Sequence, residues 1–221
     1  MKRSFLLLAA ATLFIASCKD APKADEAKTS AVMAASALSG TTYHADLQQS
    51  ELIWIGTTPV VQHRGKMKLE NGVLSVENGS VSGGKFDIAI TSIHSLDEDT
   101  SGNTKLLHHL QSADFFEVGN FPLASFEITG VKQGIDAVLT KDLVMKDATH
   151  TVMGNLMIKG VKKGISFPAK IAMNENTVTA DANFNINRTD WGLSYGNDES
   201  LKDKFIRPMV NIGLHIVANK G

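Results

Sequence analysis

Residues 178–191 read VTADANFNINRTDW, and the first nine of them point to an all-β class. Val178, Ala180, Ala182, Phe184 and Ile186 alternate with Thr179, Asp181, Asn183 and Asn185. A period of two puts the apolar side chains on one face of an extended chain and the polar ones on the other. That is the pattern of an antiparallel strand with one dry and one wet face. The same period recurs in Phe86, Ile88 and Ile90, in Phe126 and Ile128, and in Val210, Ile212, Leu214 and Ile216. Asn71-Gly72, Asn78-Gly79 and Gly83-Gly84 punctuate the first half at hairpin spacing. A helical period is convincing only over Thr104–Gln111, where Leu106, Leu107 and Leu110 share a face and Asn103 or Thr104 is the expected cap. About eight one-sided strands with one or two short helices must pack on one another, as a sandwich or a closed barrel. Period alone leaves both architectures open.

The N-terminus stands apart from this pattern. Lys2-Arg3 precede an apolar run from Phe5 to Phe14, too short to span a bilayer as a mature helix. The run ends in Ile15-Ala16-Ser17-Cys18, which resembles the lipobox of a bacterial lipoprotein signal peptide, so residues 1–17 read as signal and Cys18 as the acylated anchor. Cys18 is the only cysteine in the chain, and the domain must therefore hold together without a disulfide. Residues 18–42, poor in aromatics and rich in Ala, Lys, Ser and acids, read as a flexible tether, with a short helix around Ala31–Leu38 as the alternative. The globular domain is then 43–221. Without Lys2 and Arg3 the chain carries 20 basic and 23 acidic residues, a net charge of −3 that does not suggest a nucleic-acid surface.

Catalytic signatures are thin: the sequence holds no G-x-S-x-G, P-loop, H-E-x-x-H or G-x-G-x-x-G motif. His108 and His109 are adjacent, and neighbours on a helix diverge by about 100°, which makes a poor metal chelate. Asp97–Gly102 matches the first half of a calcium-binding loop, but His108 stands where the closing acid belongs, so it reads as a solvated acidic loop. Two polar residues fit the apolar phase badly. In VVQHRGKMKL the phase Val61, His63, Gly65, Met67, Leu69 places His63 on the inner face. Continuing the phase of Phe184 and Ile186 places Arg188 inside or at the rim, where it needs an internal acid or an anionic ligand group; Asp190, in the same phase, is the candidate acid. The alternative is that each strand ends or bulges first, which leaves the His63 and Arg188 side chains both in water.

The order of several segments now carries a resemblance. Trp54 comes first, followed by His63-Arg64-Gly65 and NGVLSVENGSVSGGKFDIAITSI. After these come LLHHLQSADFFEVGNFPLASFEIT, GNLMIKGVKKGISFPAKI and FNINRTDWGLSYG. Over about residues 43–219 the chain resembles the YceI-like family of bacterial envelope proteins. The resemblance implies a lipocalin-like antiparallel β-barrel whose lumen takes a polyisoprenoid, quinone-like or polyprenyl lipid, with no catalysis, cofactor or metal. Carried onto this chain, the lumen wall comprises Phe86, Ile88, Ile90, Phe126, Val178, Phe184, Ile186, Ile212 and Leu214. His63, Arg188 and Asp190 become candidates for the polar end of the ligand. Many relatives look like free periplasmic proteins, whereas this one reads as lipid-anchored through Cys18, facing the periplasm or on the outer membrane.

Within HHLQSADFFEVGNFPLASFEIT, the helix with Leu110 is expected to lie across one barrel end. Phe115 and Phe116 then divide between plugging that end and packing beneath the helix, and Phe126 continues as wall. Two alternatives stand beside the binding reading: an enzyme using His63 or His109 as base, and a solid-core structural or assembly lipoprotein.

Overall fold

The computed structural model describes residues 20–36, 38–98 and 100–221; Cys18 and the apolar run before it lie outside the described residues. The alternating runs form the strands expected of them. The barrel is built from β3 (Thr41–Ala45), β4 (Glu51–Thr57), β5 (Gln62–Glu77), β6 (Ser80–Ser95), β7 (Leu123–Gln133), β8 (His150–Ile158), β9 (Val161–Met173), β10 (Thr177–Asn187) and β11 (Met209–Lys220). Consecutive strands from β5 to β11 pair antiparallel, and β11 returns to β5 through β3 and β4.

Strands β3 and β4 share one position between β11 and β5, β3 pairing with Leu74 and its neighbours, β4 with Gln62–Met67. Between them the Asp46 carboxylate accepts the N–H groups of Gln48 and Gln49 at 2.9 and 3.0 Å. Those bonds and the Gln49 side-chain amide hold its carboxyl below the usual range. The result is a closed, eight-position antiparallel barrel with few short helices, the closed alternative of the two that the period allowed.

Turn chemistry explains part of the register. Asn78 and Gly79, at φ of 51° and 73°, make the tight β5–β6 hairpin at the lower end of the barrel. The other two glycine pairs are not hairpin turns. Asn71-Gly72 lies inside β5 beside a register shift opposite Phe86, and Gly83-Gly84 lies inside β6. Bends within long strands, rather than turns between short ones, account for these pairs.

The helix α1 (Thr100–Gln111) begins four residues before the expected start. Asn103 is therefore inside it rather than capping it, and its side-chain amide donates to the Asp97 carbonyl at 2.8 Å. Leu106, Leu107 and Leu110 pack on the core at the upper end of the barrel. Beyond β7 a single turn, α2 (Ala137–Thr140), is capped by Asp136.

The segment read as a tether is laid against the barrel instead. β1 (Asp25–Glu26) pairs parallel with Phe184–Asn185 of β10, and β2 (Lys28–Ser30) pairs antiparallel with Gly164–Ser166 of β9. Strands β9 and β10 bond each other only between Lys170–Met173 and Val178–Asp181, so the upper half of this seam is closed by the N-terminal strap. Ala27 is buried there, and Asp25, also buried, accepts the N–H groups of Val144 and Met145 at 2.7 and 2.9 Å. Farther on, the Asn155 amide exchanges two 2.8 Å bonds with the Met33 backbone, and Ser36 donates to the Thr129 carbonyl. Asn155 is itself buried, so these bonds satisfy a polar side chain that would otherwise be costly. No helix forms over residues 31–36.

Candidate ligand cavity

The inward faces of the barrel do not meet. They enclose a cavity of about 340 Å³, within the range of small-molecule sites and too large for the lumen to be called packed shut. Phe86, Ile88, Ile90, Phe126, Val178, Phe184, Ile186, Ile212 and Leu214 all line it, as do Leu110, Phe115 and Phe116 at the helix end. The chain between Ser112 and Asn120 is a series of turns, in which the Phe116 N–H donates to the Leu110 carbonyl at 3.0 Å. This is why both phenylalanines reach the cavity: the expected division between them assumed an extended chain.

Strand β9 supplies further wall beyond the expected lumen residues. Ile165, Phe167, Ala169 and Ile171 line the cavity, and the Phe167 ring stacks on Phe184 at 4.1 Å between centroids. Their period of two was available in GISFPAKI.

Polar groups gather at the upper end. His63 lines the cavity, and its Nδ1 lies 2.7 Å from Asp97 Oδ2. Partial burial pushes the Asp97 carboxyl up, but hydrogen bonding with His63, the Arg64 N–H and Ser95 outweighs it and holds the group below the usual carboxylate range. The acidic loop thus supplies a partner for His63, 34 residues away in sequence, which spacing alone could not reveal. Asp99 lies outside the described residues, and among those described no group of three His, Cys, Asp or Glu converges as a metal site. His109 also lines the cavity and stacks edge-on against Phe115 and Tyr195 at 5.1 and 4.5 Å.

Arg188 is inside, only 3% exposed, but its partner is not Asp190. The strand ends at Asn187, whose side chain caps a short 3₁₀ turn, Arg188–Trp191, so the period-two phase stops there. Asp190 points elsewhere, accepting the Thr29 hydroxyl of the strap at 2.9 Å, and it does not line the cavity. The guanidinium instead donates to three backbone carbonyls, those of Arg207 (3.2 Å), Ile206 (2.6 Å) and Leu193. Burial pulls its pKa down to about 10, leaving it protonated near neutral pH, and its charge sits 5.6 Å above the Phe115 ring.

Trp54 and Gly65 are cross-strand partners on β4 and β5. A Cβ at position 65 would stand 2.4 Å from the indole, so only glycine lets the Trp54 ring lie over β5. This gives a physical reason for Gly65 in the His63-Arg64-Gly65 motif.

The chain thus forms an antiparallel barrel closed around an apolar cavity, with polar groups at one end. The sequence pattern of the YceI-like domain matches residues 43–218, and the chain belongs to that family. It is 30% identical over 92 residues to UPF0312 protein YE1254 of Yersinia enterocolitica, a match spanning 39% of this chain and 42% of that relative. Its fold is similar to that of Burkholderia cenocepacia BcnA, with a TM-score of 0.60 and 20% identity over 78% of this chain and 98% of that one. It is likewise similar to a polyisoprenoid-binding domain from Saccharophagus degradans, implicated in plant cell wall breakdown. There the TM-score is 0.59 and the identity 14%, over 82% of this chain and 99% of that one.

Proposed function

We propose that this protein binds, without catalysis, the chain of a polyisoprenoid or similar amphiphile of quinone or polyprenyl type inside its barrel. The observation that carries this reading is the 340 Å³ cavity, whose wall is apolar except at the helix end. Burying a long hydrocarbon there is worth roughly 25 cal/mol per Å² of apolar surface removed from water. The polyisoprenoid-binding domain of similar fold supports the class of ligand.

The anchor is part of the proposal: Cys18 acylated in the bacterial envelope, periplasm-facing or on the outer membrane. Asp20, two positions later, is ion-paired with Arg207 at 3.0 Å, beside the upper end of the cavity. Exposed apolar side chains also stand at that end, among them Val60, Val61, Leu96, Tyr195 and Leu201. An anchor at Cys18 would therefore hold the cavity's polar end near the lipid surface, which suits presenting or sequestering lipid at one membrane better than ferrying it between two.

Native mass spectrometry of gently purified protein, followed by lipid extraction, tests the reading. A bound isoprenoid lipid is the expected result, and repeated recovery of lipid-free protein would count against it. Loss of palmitate labelling in Cys18→Ser tests the anchor. The His63–Asp97 pair is the one feature that favours an enzyme. His63→Ala separates the two, since a general base carries orders of magnitude of turnover and a cavity contact only part of an affinity.

A further inference from the structure

Strands β9 and β10 are bonded to each other only where Lys170–Met173 face Val178–Asp181. Above that point they part, and residues 25–30 lie in the gap. Asp25 is there the Cα partner of Phe184 on β10, and Thr29 that of Ile165 on β9. Neighbouring strands stand about 4.8 Å apart, so two strands paired through a third stand about 10 Å apart. Phe184 and Ile186 on one side of the gap, and Ile165 and Phe167 on the other, all line the cavity. The stacked rings of Phe167 and Phe184 bridge the two strands on the cavity side.

The strap that fills this gap is held differently from the wall it completes. Of residues 20–36 only Asp25 and Ala27 are buried, whereas β9 and β10 bury Ile165, Phe167, Val178, Phe184 and Ile186. Apart from backbone pairing, polar contacts seat the strap: Asp25 with the Val144 and Met145 N–H groups, Thr29 with Asp190, and Asp20 with Arg207. Water can replace such bonds, so their net contribution is small, and a segment that buries one alanine opens at lower free energy than the strands beside it. Gly164 shows how close the seat is, since a Cβ there would stand 2.4 Å from both the Ala31 carbonyl oxygen and the Ser30 hydroxyl. At the upper end of the barrel, by contrast, Leu106, Leu107 and Leu110 pin α1 to the core.

We infer that the strap is a gate, which lifts from the β9–β10 seam and lets the hydrocarbon chain of the ligand enter and leave the lumen sideways. The inference rests on the lumen reading above and adds the route. A hydrocarbon chain is no thicker than the polypeptide strand it replaces in the gap. Lifting residues 25–30 and parting the Phe167 and Phe184 rings therefore clears its path. The lower seam, bonded strand to strand, keeps the barrel closed meanwhile.

The test measures exchange rates in the full-length chain carrying Cys18→Ser, so that introduced thiols are the only ones. Lys28→Cys with Ser166→Cys puts two thiols on partner residues of β2 and β9, within disulfide reach, and staples the strap shut. Gly164→Val does the opposite, driving a side chain into Ser30 and Ala31 from a position outside the cavity wall. Stopped-flow fluorescence with dansyl-labelled farnesol reads association and release. The oxidised staple should slow both by about tenfold or more at unchanged Kd, and dithiothreitol should restore them. Gly164→Val should speed both by about tenfold, again at unchanged Kd.

Parent rates in the stapled protein or in Gly164→Val, or a change of Kd without a change of rate, overturn the gate while the lumen reading stands. If Gly164→Val does not fold, the staple decides alone. Failure of the parent to bind the probe at all overturns both.

Discussion

Arg188 is the residue where sequence and structure are most instructively at odds. An inward position was one of the two readings that the apolar phase of β10 allowed, and its partners were not legible. Three backbone carbonyls from the segment before β11 replace the acid that side-chain reasoning would supply. Carbonyls carry no identity in a sequence, so no pattern could have named Arg207, Ile206 or Leu193. Replacing Arg188 with Met should strand those carbonyls and cost about 3 kcal/mol or more, read as a lower urea midpoint at unchanged m-value. Arg188→Lys should rescue little, because one ammonium cannot reproduce the spread of the guanidinium fork.

At the same scale, Asp97 has a depressed pKa in the folded state. Its contribution is present above the ordinary carboxylate pKa of about 4 and is lost as pH falls through the lower folded value. Asp97→Asn should therefore be less stable than the parent at neutral pH, with the difference closing in strong acid; pH-dependent urea melts check it.

Among the elements, the strands were the most legible, since each buries one face and a single-residue slip would invert it. The β10 alternation that implied a strand is the β10 of the fold, with Phe184 paired to Ile212 and Ile186 to Val210. The N-terminal strap was not legible. Its composition is poor in large apolar residues, with only Val32 and Met33 among residues 20–36, and its order comes from backbone pairing to β9 and β10 and from the buried polar contacts of Asp25 and Asn155. Those depend on a seam that exists only once the barrel has closed.

Asn155→Leu removes the two bonds to Met33. It should speed amide exchange of the strap and of Gly164–Ser166 while leaving the β5–β6 hairpin protected, as measured by hydrogen exchange. Gly65→Val, by contrast, drives a side chain into the Trp54 indole and should lower the melting temperature by several degrees.

For the whole molecule, alternation predicted that the strands pack on one another, but it could not choose a barrel over a sandwich or say whether a closed lumen is full or hollow. That depends on how far apart eight walls stand, a quantity no single strand encodes. Ala180 and Ala182 keep the β10 wall low between larger neighbours and contribute to the space. If the space exists to hold a chain, filling it should abolish binding without harming the barrel.

The central claim is thus tested by titrating the protein and its Ala182→Phe variant with a fluorescent polyisoprenoid, with circular dichroism confirming the β-rich fold of both. The expected result is saturable binding of one ligand per chain by the parent and loss of binding by the variant. Undiminished binding by the correctly folded variant would place the ligand outside the lumen and contradict the account.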